Sequence, residues 1–139
     1  MDLLLIKAWR LTLTPATDPA LDVPADVLVT NPVGFIAQKL LIHARRKPAK
    51  RAQDMLYVHD TLQLFGSALD HLHSLWLNEI RPYAGSAVAG RITRFRKEQY
   101  GAVTDVIRTA ALIPQRRAIT PESLQAVCEA GLAEVFGPD

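Results

Sequence analysis

The sequence predicts an α+β fold that is mostly α-helical, with a short N-terminal strand pair followed by a bundle of about six helices. β-type residues are frequent before residue 31, whereas apolar residues recur at helical spacing after it. The chain has 139 residues, of which 49% are hydrophobic and 22% are charged, and this is enough apolar material for one core. We therefore expect a single domain over residues 1–139. Its parts are a strand pair with its loop at 1–30, a helical hairpin at 31–66 and a helical bundle at 67–139.

The strand pair is predicted from two β-type segments. The first covers residues 3–14 and is followed by Pro15. Apolar residues occur at both odd and even positions of this segment, so we expect both faces of the strand to be largely buried. A proline-rich loop over 15–25 separates it from a second short strand over 26–30. Two strands alone make a poor sheet. The chain therefore looks like the second half of a larger unit: a fragment, a shortened gene product or one member of a complementing pair.

The helices are predicted from caps, breakers and apolar periodicity. Asn31 is a suitable N-cap for a helix that starts at Pro32, and Lys47 followed by Pro48 breaks that helix. Thr120 followed by Pro121 is the same start signal for the last helix. The predicted helices cover residues 32–46, 48–65, 70–82, 87–100, 102–113 and 121–136.

The positive charge of the chain is concentrated in one segment. The net charge is only +2, yet no Asp or Glu occurs between Asp26 and Asp54. Six cationic residues lie in that interval: Lys39, Arg45, Arg46, Lys47, Lys50 and Arg51. Phosphate is the natural partner of such a local positive field. A second basic group follows near residue 94, and it consists of Arg91, Arg94, Arg96 and Lys97.

Lys39 and Asp54 are predicted to face a common cleft. On the first helix Lys39 lies off the broad apolar face, and on the second helix Asp54 lies beside the apolar side. Each residue is about two turns or fewer from the Lys47–Pro48 break, so a helical hairpin would bring them together. A simpler interpretation is favoured by spacing alone. Lys39 would then only extend its ammonium group to water, and Lys50 with Asp54 would be an exposed i, i+4 pair.

Residues 31–66, NPVGFIAQKLLIHARRKPAKRAQDMLYVHDTLQLFG, resemble the third and fourth motifs of the AbiEii-type nucleotidyltransferases, a toxin family of abortive-infection and toxin–antitoxin systems. In that family a helix that begins with proline carries a lysine and a later arginine, and a Lys-x-x-x-Asp pair follows on the next helix. Lys39 matches the lysine, Arg45 or Arg46 the arginine, and Lys50 with Asp54 the last pair. The resemblance implies the C-terminal part of a DNA polymerase beta-like nucleotidyltransferase fold followed by a helical bundle.

The resemblance also implies roles for these residues. Nucleotidyl transfer needs cations on the triphosphate and carboxylates on magnesium. Lys39 and Asp54 are then the candidate catalytic residues, nucleotide phosphates are bound by Lys39, Arg45, Arg46 and Lys50, and Asp2 is a candidate metal carboxylate on the strand. The cofactors would be Mg²⁺ and a nucleoside triphosphate, provided that the missing half of the site is supplied. The partners would be a nucleotide, an RNA or tRNA acceptor, and an antitoxin or a complementing N-terminal chain.

One departure from the family pattern is severe. The family's first two motifs, a Gly-Ser turn and an Asp-x-Asp or Glu-x-Asp strand end, occur nowhere in this sequence in the required context. We therefore expect the isolated chain to be inactive in nucleotidyl transfer and to use no cofactor unless the missing half is supplied.

A second function class stays open beside the first. The chain could be a basic helical module that binds RNA or a protein partner through Arg91, Arg94, Arg96 and Lys97. Other classes are disfavoured, since one cysteine cannot form an internal disulfide and the four histidines have no zinc-ligand spacing. The N-terminal residues lack the apolar run of a signal peptide or membrane span, so we expect a cytoplasmic protein without a membrane partner.

Overall fold

The computed structural model describes residues 2–137. Within this range the elements are β1 (Trp9–Leu13), β2 (Ala25–Val29), α1 (Pro32–Ile42), α2 (Pro48–Leu64), α3 (Leu69–Leu75), α4 (Arg81–Ala84), α5 (Ser86–Tyr100), α6 (Asp105–Leu112) and α7 (Pro121–Phe136). A π-helical turn, Trp76–Ile80, joins α3 to α4, so residues 69–84 form one continuous helix. The predicted α+β class, a strand pair followed by about six helices, is confirmed.

The strand pair is shorter and more exposed than predicted. β1 and β2 are antiparallel, with Trp9 opposite Val29. The predicted strand over 3–14 is wrong at its start, because Leu3–Leu5 form a 3-10 turn and the chain changes direction at Lys7, whose φ is +52°. The expectation that both faces are buried is also wrong. Four of the five residues of β1 are exposed, since within the described residues the sheet has only two strands.

Asn31 joins the N-terminal turn to the start of α1. Its side chain is fully buried, its Oδ1 accepts a hydrogen bond from the N–H of Gly34 at 2.8 Å, and its Nδ2 donates to the carbonyl of Ile6 at 2.7 Å. One residue therefore acts as the predicted helix cap and also satisfies a carbonyl of the N-terminal segment. The N-terminal turn packs closely against the backbone of Gly34, where an added Cβ would lie 2.7 Å from the carbonyl oxygen of Leu3.

The hydrophobic core is built around α2. This helix packs against α1, α6 and α7, and α1 also packs against α5. The apolar periodicity that predicted the helices provides the buried side chains, which include Ile36 and Leu40 of α1, Leu62 of α2 and Leu132 of α7. This packing fixes α1 and α2 relative to each other and therefore positions the side chains at their connection.

The helix over 69–84 keeps one buried face along its whole length by means of the π turn. Leu72, Trp76, Ile80 and Ala84 are all buried at a constant spacing of four residues. In an α-helix of 3.6 residues per turn, a spacing of four would drift around the axis by about 40° at each step. The N–H of Arg81 donates to the carbonyl of Trp76 five residues earlier, and this wider turn offsets the drift.

Two predicted helix ends differ from the structure by three or more residues. The helix predicted over 32–46 ends at Ile42, and a 3-10 turn, His43–Arg45, follows before the extended residue Arg46. The helix predicted over 102–113 begins only at Asp105, because the side chain of Thr104 caps it by accepting from the N–H of Ile107. The first difference matters for the site, since it places Arg46 outside α1, on the connection to α2.

Candidate functional site

A buried carboxylate lies where α1, α2 and their connection meet. The side chain of Asp54 on α2 is 2% exposed. Its Oδ1 accepts a hydrogen bond from Lys39 Nζ at 2.8 Å, and its Oδ2 accepts one from Arg46 Nε at 2.8 Å. A longer contact of 3.4 Å joins Arg46 Nη2 to Oδ1. The structure thus brings Lys39 and Asp54 together, and Arg46 completes the group.

The ammonium group of Lys39 is held between two aromatic rings as well as by the carboxylate. Its Nζ lies 5.2 Å from the ring centre of Phe35, one helical turn earlier on α1, and 5.8 Å from that of Tyr57 on α2. Both distances are in the cation–π range. The side chain of Lys39 is 17% exposed, so most of it is covered while part of it remains accessible to solvent. The lysine is therefore ordered by contacts on three sides.

The connection between the two helices is held in place by Arg51. Its Nε donates to the carbonyl of His43 at 3.0 Å, and its Nη2 donates to that of Ala44 at 2.8 Å. These carbonyls belong to the 3-10 turn after α1, and that of His43 also accepts from the N–H of Arg46 at 3.1 Å. Burial and the nearby charge of Arg51 hold the pKa of His43 below its usual value, although Asp54 opposes this effect. Arg51 therefore belongs to the scaffold of the site.

The structure separates the remaining residues predicted to bind nucleotide. The alternative interpretation of Lys50 and Asp54 as an exposed pair does not match the structure, because Lys50 Nζ donates to Gln53 Oε1 at 3.0 Å, while Asp54 is buried and bonded to Lys39 of α1. Of the two candidate arginines, Arg46 reaches Asp54, and Arg45 is exposed at the end of the 3-10 turn. The cationic surface near the site therefore consists of Lys39 and Arg46, with Arg45 and Lys50 further out.

Within residues 2–137, the predicted metal carboxylate Asp2 does not lie in a cluster of metal-ligating side chains. Asp2 was predicted to lie on a strand, and this is wrong. It is exposed and caps the N-terminal 3-10 turn by accepting from the N–H of Leu4 at 3.0 Å. Over residues 2–137, no group of three or more His, Cys, Asp and Glu side chains is placed to hold a metal. The carboxylate of Asp54 is itself occupied by two cations. A catalytic magnesium ion would need carboxylates from elsewhere.

The second basic group is divided by the fold. Arg96 is buried at 6% exposure and donates from Nη1 to the carbonyl of Gly137 at 2.8 Å and to that of Leu132 at 3.3 Å. Its predicted role in nucleic-acid binding is therefore corrected: it satisfies carbonyls at the C-terminal end of α7. It lies four residues after Ile92 and four before Tyr100, both fully buried, so it shares the inward face of α5.

The other three members of that group are on the outside of α5. Arg91, Arg94 and Lys97 are exposed. The guanidinium of Arg94 lies 4.9 Å from the ring centre of Phe95, and its Nε is 3.6 Å from Glu98 Oε1. The expected basic stripe is therefore reduced in charge by one buried arginine and one neighbouring acid.

Sequence reasoning missed a polar cluster between α2 and the segment before α7. His59 Nδ1 lies 3.0 Å from Asp60 Oδ1, and Arg117 Nη2 donates to Asp60 Oδ2 at 2.5 Å. His59, Arg117 and Ser123 line an open cavity of about 430 Å³. Burial raises the pKa of Asp60, but its bonds with Arg117 and His59 outweigh burial and leave the pKa below its usual value. No sequence signal connects Asp60 to a residue 57 positions later.

Comparison with known proteins adds no family assignment. No family model, no curated protein and no solved structure matches this chain. Among the helices of residues 2–137, none has both the length and the apolar character needed to span a bilayer. The resemblance of residues 31–66 to the AbiEii-type motifs therefore stands on those residues alone.

Proposed function

We infer that this chain is a nucleotidyltransferase-like protein that retains the nucleotide-phosphate-binding and helical parts of the AbiEii-type fold. The observation that carries this proposal is the group formed by Lys39 and Arg46 on the buried carboxylate of Asp54. A buried carboxylate that orders two partly exposed cations creates a preorganised anion site, since the cost of fixing both side chains is met before a ligand arrives.

The charge of this group favours an anionic ligand. Two cations on one carboxylate leave a net charge of +1, and the exposed Arg45, Lys47 and Lys50 nearby are not balanced by any acid between Asp26 and Asp54. Charge-assisted hydrogen bonds to phosphate are among the strongest that side chains make. In this proposal Lys39 and Arg46 contact the phosphates, and Asp54 positions both of them.

The proposal limits the chemistry of the chain by itself. The sequence contains no Gly-Ser turn with a following Asp-x-Asp motif, and its described residues hold no magnesium site. The purified chain is therefore expected to bind nucleoside triphosphates without transferring them. Mg²⁺ and transfer activity would enter only with carboxylates from a complementing N-terminal chain.

Titration calorimetry with ATP, GTP, CTP and inorganic tripolyphosphate tests the proposal. Lys39→Met keeps much of the apolar stem and removes the charge, so affinity for all four ligands should fall by about 10-fold to 100-fold, the loss expected for one hydrogen bond to a charged group. Arg94→Met, which removes one charge from the exposed face of α5, is the matched control and should change affinity by less than about twofold, as expected for a screened distant charge. Equal losses in both variants, or no binding by the parent chain, would contradict the proposal.

RNA binding through α5 is the competing function. The position of Arg94 over Phe95 favours it, because an arginine on an aromatic ring can stack with a base. Because Arg96 is buried, the exposed face of α5 carries one positive charge fewer than the sequence suggested. A single-stranded RNA oligonucleotide separates the two: under this alternative its affinity should fall steeply with salt and be weakened by Arg94→Met, while Lys39→Met has little effect.

A further inference from the structure

We propose that the apolar groove beside Lys39 holds the nucleoside part of the bound nucleotide, with the base recognised by stacking and not by hydrogen bonds to its edge. This inference rests on the proposed function, because it requires the phosphates to lie at Lys39 and Arg46. Beyond the phosphate site, it assigns a second subsite for the nucleoside. The contact in that subsite is stacking, which predicts little preference between bases.

The groove runs between the strand pair and the ends of α1 and α2. Its volume is about 330 Å³, at the lower end of the range for small-molecule sites. Its lining includes Trp9 and Leu11 of β1, and Leu64 and Phe65 at the end of α2. Trp9 and Phe65 form an edge-to-face pair with ring centres 6.1 Å apart, so the aromatic wall has a defined orientation.

Phe35 connects the groove to the cationic site. Its ring lines the groove and also lies 5.2 Å from Lys39 Nζ. If a ligand places its anionic group on Lys39, the adjoining part of the ligand therefore lies at the apolar groove. A nucleotide has this combination, since its anionic phosphates are joined to a base with flat aromatic faces, and the charge of Lys39 and Arg46 sets its direction in the site.

The exposure of the groove residues shows that a large apolar surface is uncovered in this chain. Trp9 is 37% exposed, Leu11 43% and Leu64 78%. Apolar side chains grouped around a concavity are typical of binding sites, whereas scattered ones are ordinary. Flat aromatic bases are suited to such a surface, because stacking on an aromatic side chain covers both partners.

The polar content of the groove predicts poor discrimination between bases. Thr30 and Thr61 contribute the only side-chain hydroxyl groups among the described residues that line it. The hydroxyl of Thr61 already donates to the carbonyl of Tyr57 at 2.7 Å. Selection between bases needs positioned donors and acceptors for the base edge, since stacking tolerates every base. ATP, GTP and CTP should therefore bind within a few-fold of one another.

Calorimetric titration of the full chain with ATP and with inorganic tripolyphosphate tests the subsite. Trp9→Ala should weaken ATP about tenfold and leave tripolyphosphate unchanged, and Trp9→Phe should retain most of the ATP affinity. Leu64→Ala should weaken ATP by a few-fold, and because Leu64 is 78% exposed, this variant guards against a folding defect in Trp9→Ala. Tyr83→Ala, which removes an aromatic residue that is 60% exposed outside the groove, is the control and should have no effect.

The outcomes separate this inference from the proposed function. If ATP and tripolyphosphate bind equally well and depend on Lys39, while neither Trp9→Ala nor Leu64→Ala weakens ATP, the base subsite is overturned and phosphate binding survives. If neither ligand binds, or if binding does not depend on Lys39, both proposals fail. A loss of ATP affinity in both groove variants with unchanged tripolyphosphate binding supports the subsite.

Discussion

Replacing Asp54 with asparagine should lower the free energy of unfolding by about 2 kcal/mol. Asparagine has nearly the same shape, so the packing of α2 is kept while the negative charge between Lys39 and Arg46 is lost. The two cations would then lie close together with only an amide oxygen to accept from them. The change therefore isolates the electrostatic role of the carboxylate.

The magnitude follows from the burial of the three side chains. Removing one partner of a fully buried ion pair costs about 3–5 kcal/mol, because the remaining charge is left without compensation. Asp54 is 2% exposed, but Lys39 is 17% and Arg46 35% exposed, so both cations can regain part of their hydration. About half of the full cost should remain. A fully exposed pair would contribute only about 0–1 kcal/mol.

A double-mutant cycle measured by urea unfolding tests this reasoning. Asp54→Asn, Lys39→Met and the double variant should give a coupling energy of about 1.5 kcal/mol. The control cycle uses the Lys7–Glu79 pair, whose side chains are 50% and 45% exposed at a distance of 3.1 Å, and should give about 0.5 kcal/mol or less. Coupling energies that agree within about 0.3 kcal/mol would show that the carboxylate of Asp54 contributes no more than a surface acid.

Three further predictions concern the scaffold. Gly34→Ala should lower the free energy of unfolding by about 1–3 kcal/mol, because its Cβ would lie 2.7 Å from a backbone oxygen. Gly90→Ala, whose Cβ would have no atom within 4 Å, should raise the free energy of unfolding by about 0.5–1 kcal/mol. Similar changes for both variants in urea unfolding would refute this. His43 has a lowered pKa in the folded chain, so the unfolded chain binds the proton more readily and stability should fall as the pH drops below about 6.5; His43→Gln should reduce the slope of Tm against pH, and an unchanged slope would argue against it. Cys128 is fully buried and burial raises the pKa of its thiol, so it should react with Ellman's reagent at pH 8 only in urea; rapid reaction of the folded chain would be inconsistent with this.

The helical hairpin and its paired side chains could be predicted because their signals are local. Asn31 caps α1 and Pro48 starts α2, as the sequence indicated, and the short connection leaves few ways to arrange two amphipathic helices. That geometry brings Lys39 near Asp54. The alternative pairing of Asp54 with Lys50 had to stay open, because spacing alone could not show that Asp54 faces α1 and not the solvent beside Lys50.

The errors arose where long-range packing decides. Arg96 belongs to a run of cations in the sequence, yet it lies at four-residue spacing from two buried residues of α5, and the end of α7 supplies the carbonyls that bind it. Leu3 belongs to an apolar run that resembles a strand, but it is buried under α1 in a 3-10 turn. In both cases the deciding partner is far away in sequence. The pairing of Asp60 with Arg117 has the same origin.

The wide turn between α3 and α4 makes this part of the chain tolerant of a change in length. Deleting the exposed Asn78 would convert a turn closed over five residues into an ordinary one, and the buried residues on either side would keep their places. Urea unfolding of that variant should remain cooperative. The same deletion in the middle of α5 would rotate half of that helix by about 100° and expose its apolar side chains. During evolution, single-residue insertions and deletions should therefore accumulate at this turn before they are accepted elsewhere in the bundle.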